Sequence, residues 1–213
     1  MFENPRRNEI NHRTIKLIMG LMSLSLAILT NYFSIEDLTS ISEAYHQGGW
    51  PRDILVGFLF AVAAFLMAYN GKSFLEALLS KLAALAAIGV AMFPCGCDGH
   101  PQIIPYVHGI SAAVMFLILA AFCLYFLGRA RQKGHLSAQI RVVIYALCFI
   151  VIVAAVGVIA IDYLAGHPIS KNIPRLVFFG EMAALLAFGV AWLVAARIIP
   201  VLASKDERKH LFD

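Results

Sequence analysis

Six apolar runs of about twenty residues constrain the fold of this chain more than any other feature. Because a membrane's hydrocarbon layer is roughly 30 Å thick and an α-helix rises about 1.5 Å per residue, each run is long enough to form one membrane-spanning helix. The predicted helices cover about 15–33, 53–70, 74–93, 106–127, 140–164 and 175–199. We therefore predict an all-α fold, an integral membrane six-helix bundle in which residues 1–213 form a single transmembrane domain.

The composition excludes the common soluble classes. The chain is 61% hydrophobic and 14% charged, whereas soluble domains average about 45–50% apolar and about 25% charged residues. A soluble fold of this size has too little interior to bury so much apolar surface. The basic residues flank apolar runs and do not interleave with aromatic residues on a polar surface, so no nucleic-acid partner is expected. The first apolar run lacks a following cleavage site, so we interpret it as a retained helix.

Lysine and arginine residues gather on one side of the predicted topology. That side holds the N-terminus, the 71–73 turn, the 128–139 loop and the C-terminal tail. Its basic residues are Arg6, Arg7, Arg13, Lys16, Lys72, Lys81, Arg129, Arg131, Lys133, Arg141, Arg197, Lys205, Arg208 and Lys209. The opposite side has only Arg52, Lys171 and Arg175. Because basic residues are enriched on the cytoplasmic side, both termini are predicted to be cytoplasmic.

The outer side carries most of the residues that are able to do chemistry, including four of the seven histidines. Glu181 lies about a turn and a half into the sixth helix, where an unpaired carboxylate is costly. We expect Glu181 to face the bundle and to pair with Arg175, His108 or Asp162. Two interpretations stay open: a group that handles protons or coordinates a ligand, and a structural hydrogen bond between helices.

The stretch Cys95-Gly-Cys97-Asp98-Gly-His100 is the most unusual short sequence in the chain. Two thiolates and an imidazole so close together are soft ligands suited to zinc or copper. In an oxidising compartment the same cysteines form disulfides, either with each other in a small strained ring or with another chain. Metal site, disulfide and plain loop all remain alternatives.

A second group of outer residues has the ingredients of a zinc-dependent membrane hydrolase. Ser42 and His46 stand four residues apart and would share one face of a helical turn. Together with Asp53, His108 and His167, they supply imidazoles, a carboxylate and a hydroxyl with which zinc holds and acidifies a water molecule. The CREST superfamily, which includes alkaline ceramidases and adiponectin-type receptors, uses such a set. Its paired histidines in a late helix are absent here.

The candidate site residues follow from these two groups. The candidate catalytic residues are Ser42, Asp53 and Glu181, and the candidate metal ligands are His46, Cys95, Cys97, His100 and His108. The only cofactor these residues suggest is a zinc or copper ion.

Several stretches of the chain also carry a family resemblance. They are Ser40-Ile41-Ser42-Glu43, Arg52-Asp53-Ile54-Leu55-Val56-Gly57, the Ala87–Pro94 segment, the Val107–Phe116 segment and Phe178-Phe179-Gly180-Glu181. This pattern resembles a large group of bacterial six-helix membrane proteins that are distantly similar to the Frag/DRAM/Sfk superfamily. The resemblance implies six helices, a bacterial inner-membrane location and a link to membrane lipids, but no defined reaction. The positions that match it are Ser42, Arg52, Asp53, Pro94, His108 and Glu181.

Three functions are consistent with these sequence features. The first is a non-catalytic integral membrane protein that binds lipid or packs as an accessory subunit beside other membrane protein subunits. The second is an outward-facing, metal-dependent membrane hydrolase that acts on lipid. The third is a subunit that binds a pigment or another cofactor. Haem held by two histidines is disfavoured, because His108 is the only histidine near a helix interior.

Overall fold

The computed structural model describes residues 12–97 and 99–203. In these residues the fold is all-helical, as predicted, and contains seven α-helices and two short 3-10 turns. The helices are α1 (His12–Phe33), α2 (Ala44–Gln47), α3 (Gly49–Ala68), α4 (Phe74–Met92), α5 (Val107–Arg131), α6 (Leu136–Leu164) and α7 (Leu176–Ala196). The 3-10 turns are Ile41–Glu43 and Pro200–Leu202. Asp98 and the predicted cytoplasmic residues Arg6, Arg7, Lys205, Arg208 and Lys209 lie outside the described residues.

Six of these helices are long and apolar enough to cross a membrane, which confirms the predicted number of spans. All except α2 qualify. The largest differences from the predicted limits are three or four residues: α1, α3 and α6 begin earlier than predicted, α5 ends later and α7 ends earlier. Local caps explain two of these limits. Gly48, with φ +70°, precedes α3, and the His135 side chain accepts the N–H of Ala138 at the start of α6.

The six long helices form a closed ring. Each packs on its neighbours in chain order, and α7 packs back on α1. The contact between α1 and α7 is especially close: a Cβ built on Gly189 would lie 3.0 Å from the carbonyl oxygen of Gly20 and 2.8 Å from the Leu24 side chain. Small residues permit such backbone approach in membranes, where lipid provides no hydrophobic drive between helices.

The two ends of the ring differ in chemistry. At the end formed by the starts of α1, α4 and α6, an aromatic core surrounds a basic residue. Lys16 lies over the rings of Tyr69 and Phe126, at 5.7 and 5.4 Å from their centroids. Arg129 forms an ion pair with the buried Glu76 at the same end. The opposite end, which we call the outer end, carries the loops at 34–48, 93–106 and 165–175 and holds the candidate site.

Candidate functional site

The loop between α1 and α3 is folded into the outer end by its own capping box. The Ser40 hydroxyl oxygen accepts the N–H of Glu43 at 3.1 Å, while the Glu43 carboxylate accepts the N–H groups of Thr39 and Ser40 at 2.6 and 3.4 Å. This reciprocal pairing starts the 3-10 turn at Ile41, which runs on into α2. Ser-x-x-Glu is a recognisable helix-start signal, but sequence reasoning missed both this short helix and the roles of Ser40 and Glu43.

Three residues at the start of α7, spaced three apart, bind this loop, and the first of them is the N-cap residue. Arg175 donates to the carbonyl oxygen of Leu38 at 3.0 Å. The N–H of Phe178 donates to the carbonyl oxygen of Thr39 at 2.9 Å. One turn later, Glu181 Oε2 accepts the N–H of Ile41 at 2.6 Å. Glu181 therefore accepts the first N–H of the 3-10 turn and holds the turn against the bundle.

The expected partners of Glu181 were wrong, although its direction into the bundle was correct. Arg175 binds the 31–38 segment, and its cation lies 4.4 Å from the centre of the Phe178 ring. Asp162 accepts the N–H groups of Ile169 and Ser170 at 2.7 and 3.1 Å. His108 bonds to Ser42, and only through Ser42 does it connect to Glu181.

Ser42 and His108 form the central pair of the site. The Ser42 hydroxyl lies 3.0 Å from His108 Nε2 and 3.4 Å from Glu181 Oε1. His108 Nδ1 lies 2.7 Å from the carbonyl oxygen of Phe93. Because a carbonyl only accepts, Nδ1 donates to it, and in a neutral ring Nε2 then accepts from Ser42. Both residues are buried, at 7% and 8% exposure. Because the Ser42 hydroxyl has a single proton, it donates either to His108 or to Glu181 and not to both at once.

The cysteines lie in the neighbouring loop, between α4 and α5. Cys95 and Cys97 are joined in a disulfide, with 5.2 Å between their Cα atoms. His46 Nε2 lies 2.8 Å from the Cys95 carbonyl oxygen, and its ring stacks on the ring of His100 with 4.2 Å between the centroids. Ser40 Oγ lies 3.7 Å from Cys97 Sγ.

The described residues do not assemble a metal-ligand set. Within residues 12–97 and 99–203, no group of three His, Cys, Asp or Glu side chains lies close enough to hold an ion. The sulfurs of Cys95 and Cys97 are bonded to each other in a disulfide, and both ring nitrogens of His108 have hydrogen-bond partners. The stacked His46 and His100 are the nearest approach to a ligand pair, and the metal site stays a prediction.

Two predicted residues stand apart from this network. Asp53 is exposed and pairs with the adjacent Arg52 at 3.2 Å. His167 lies in the loop after α6, where its Nδ1 is 3.4 Å from the Asp162 carboxylate. Neither bonds to Ser42, His46 or His108 in the part of the chain that the structure describes.

Two surface grooves flank α4, one near each end of the ring. The outer groove, of about 470 Å³, is lined by Tyr45, Arg52, Asp53, Val56, Gly57, Ala91 and Met92. The inner groove, also of about 470 Å³, is lined by Glu76, Leu79, Ala121, Leu124, Tyr125, Gly128, Arg129 and Gln132. Each groove thus combines an apolar wall with one arginine and one carboxylate.

Comparison with known proteins adds no family to this description: the chain matches no protein-family model, no curated protein and no solved structure. The fold therefore defines only a class, a multi-pass helical membrane protein with a buried polar network at one end of the ring. A more particular function has to follow from the residues and their contacts.

Proposed function

We propose that this chain is a non-catalytic, multi-pass protein of the bacterial inner membrane that binds phospholipid, with both termini in the cytoplasm. The orientation is inferred from the basic residues, which are scarce at the outer end and numerous at the opposite end, which we call the inner end. The buried hydrogen bonds of Ser42, His108 and Glu181 to one another and to the backbone support a structural role for the outer polar residues.

The observation that carries lipid binding is the pair of grooves beside α4. A phospholipid has an acyl chain that matches an apolar wall and a charged headgroup that matches an arginine or a carboxylate at the membrane interface. In the inner groove, Arg129 Nη1 binds Glu76, and 21% of the Arg129 side chain is exposed, so part of its charge is accessible from the groove. A phosphate oxygen is a strong hydrogen-bond partner for a guanidinium group.

The outer groove offers the same chemistry at the other leaflet. Arg52 and Asp53 are 47% and 63% exposed, so their charges are accessible to a headgroup. The apolar wall beside them is formed by α3 and α4, and Gly57 leaves it open because no atom lies within 4 Å of an added Cβ. The bundle thereby presents one amphipathic groove to each leaflet.

Filling the grooves with side chains tests this function directly. Gly57→Leu and Gly128→Leu each place a side chain in one groove, and neither added Cβ meets an atom within 4 Å. Gly157→Leu on α6 is the matched control, since its Cβ also meets nothing and it lines neither groove. Native mass spectrometry of protein purified in mild detergent then counts the bound phospholipids.

We expect phospholipid on the unmodified protein and on Gly157→Leu, and at least a fivefold loss of occupancy when both grooves are filled, since about 1 kcal/mol already changes binding that much. Unmodified protein that retains no phospholipid would overturn the proposal, as would groove-filled protein that retains as much as the control. A C-terminal fusion to a fluorescent protein that folds only in the cytoplasm tests the orientation, and a dark fusion would contradict it.

The geometry of Ser42 and His108 favours one alternative, an outward-facing lipid hydrolase. A hydroxyl 3.0 Å from an imidazole whose other nitrogen is held by a carbonyl is an arrangement that activates a serine nucleophile. Release of fatty acid from phospholipid vesicles by the purified protein, lost in Ser42→Ala, would establish this alternative and refute the non-catalytic proposal.

A further inference from the structure

The Cys95–Cys97 disulfide is poorly suited to stabilising the fold. A cross-link stabilises a fold chiefly by restricting the unfolded chain, and the restriction grows with the length of the loop that the bond closes. Here the bond spans two positions in sequence and closes a very small loop. It joins no distant elements, because both cysteines belong to the same loop between α4 and α5.

The two cysteines differ in exposure. Cys95 is 7% exposed, whereas Cys97 is half-buried. An incoming thiol therefore reaches the Cys97 sulfur more easily than the Cys95 sulfur. Access to one of the two sulfurs is a property of disulfides that undergo exchange.

A hydroxyl group supports a thiolate at Cys97. The Ser40 oxygen already accepts the N–H of Glu43, so its own proton remains to be donated. The disulfide sulfur has no proton, so in the 3.7 Å contact with Cys97 Sγ the donor is Ser40. A hydrogen bond to sulfur is stronger when the sulfur is a thiolate, so the Ser40 hydroxyl stabilises Cys97 when it leaves as a thiolate from a mixed disulfide.

Two imidazoles stand beside the disulfide. His46 is fixed by its contact with the Cys95 carbonyl oxygen at 2.8 Å, and His100 is folded back by the bond from its N–H to the Cys97 carbonyl oxygen at 3.0 Å. The rings stack with an interplanar angle of 4°. An imidazole ring has one nitrogen that accepts a proton and one that donates a proton, so the pair is able to take the proton of an incoming thiol and return it to a departing sulfur.

We propose that Cys95–Cys97 is a redox-active disulfide that exchanges with thiols outside the cytoplasm. The sulfur of an incoming thiolate bonds to Cys97 Sγ, the Cys95–Cys97 bond breaks, and Cys95 leaves with the electron pair and takes up a proton. A second thiolate then attacks the substrate sulfur of the mixed disulfide, and Cys97 leaves as a thiolate that receives the Ser40 hydrogen bond. Once the Cys97 thiolate has also taken up a proton, two thiols have become one disulfide, and the cysteine pair has gained two electrons and two protons.

The substrates are thiol compounds or cysteine pairs of proteins, and another disulfide of the same chemical class restores Cys95–Cys97 by the reverse steps. This inference goes beyond lipid binding and shares with the proposed function only the orientation that places the loop in an oxidising compartment.

The experiment is a redox titration of the full-length protein in detergent. The protein is equilibrated in buffers of reduced and oxidised glutathione, quenched with acid, and labelled under denaturing conditions with a maleimide polymer that adds mass to each free thiol. Cys123→Ala/Cys148→Ala protein removes the two other cysteines, which are free and buried. We expect a reversible transition between zero and two labels as the glutathione ratio changes.

A Ser40 series separates exchange from folding. Ser40→Ala is expected to slow the release of Cys97 from its mixed disulfide with glutathione, followed as the appearance of two labels, about three- to tenfold, the effect of losing one hydrogen bond. Ser40→Thr is expected to restore the rate because it keeps the hydroxyl. Ser73→Ala is the matched control: Ser73 caps α4 by accepting the N–H of Glu76 at 3.2 Å, as Ser40 does for Glu43. It should leave the exchange rate unchanged.

Three results would overturn the proposal. A pair that stays oxidised in a large excess of reduced glutathione is a buried structural bond, and a pair that is reduced in every buffer is no disulfide. Equal rates in Ser40→Ala and the unmodified protein would remove the role given to the hydroxyl. Phospholipid counts on Cys95→Ala/Cys97→Ala protein keep the two functions apart, since lipid binding is expected to be unchanged there.

Discussion

Replacing Glu181 tests how the outer end of the ring is held together. Its carboxylate accepts the N–H of Ile41 at 2.6 Å and lies 3.4 Å from the Ser42 hydroxyl. Ile41 is only 3% exposed, so water cannot replace the lost acceptor without a rearrangement of the loop. Glu181→Ala removes the acceptor, whereas Glu181→Gln keeps an oxygen of the same reach and removes the charge.

The expected costs follow from this contact. A buried donor without a partner costs about 1–3 kcal/mol, and the truncated side chain leaves lost packing of about 1 kcal/mol. Glu181→Ala should therefore lower the free energy of unfolding by about 2–4 kcal/mol. Glu181→Gln exchanges a charge-assisted hydrogen bond for a neutral one and should cost about 1 kcal/mol.

Unfolding by sodium dodecyl sulfate in mixed micelles, followed by circular dichroism, measures these differences. Glu36→Ala is the matched control, because Glu36 is an exposed carboxylate of the same loop, and it should change the free energy of unfolding by less than about 0.5 kcal/mol. Hydrogen exchange at the Ile41 amide should be faster in Glu181→Ala. If Glu181→Ala unfolds like the control and leaves Ile41 protected, Glu181 does not hold the loop.

Further substitutions test other contacts with the same unfolding assay. Gly189→Leu forces a side chain into α1 and should cost about 1–3 kcal/mol through overpacking; a cost no larger than that of Gly157→Leu, which meets open space, would contradict the close approach. Ser42→Ala and His108→Ala should show a coupling energy of about 1 kcal/mol in a double-mutant cycle, and purely additive effects would argue against their hydrogen bond. Asp162→Ala should speed amide exchange in the 165–173 loop and spare the helices, because two loop N–H groups lose their acceptor; an unchanged loop would refute this.

Some of the site was predictable from local patterns. His108 and Ser42 were singled out by their residue types and by the family resemblance, and the structure brings them into contact. The Ser40–Glu43 capping box has a local sequence signature, Ser-x-x-Glu, but the prediction did not include it. The disulfide was one of the alternatives left open, since a short cysteine pair does not reveal whether it binds a metal or closes on itself.

Other contacts were beyond prediction because they join residues far apart in the chain. Glu181 pairs with a backbone N–H that lies 140 residues away, and backbone donors are the same at every position in the sequence. The sequence also does not single out the Phe93 carbonyl that orients His108, because every residue has a backbone carbonyl. Asp53 carries a carboxylate, as Glu181 does, but lies on the surface and pairs with its neighbour Arg52.

The sequence by itself determined the six spans, because hydrocarbon thickness sets a helix length that local apolarity records residue by residue. The tertiary structure alone decided which polar groups meet at the outer end. The ring closes by the approach of α1 and α7, and this brings Glu181 onto the loop between α1 and α3. The loop then sets Ser40 beside Cys97, a contact between segments 57 residues apart that depends on how the helices pack.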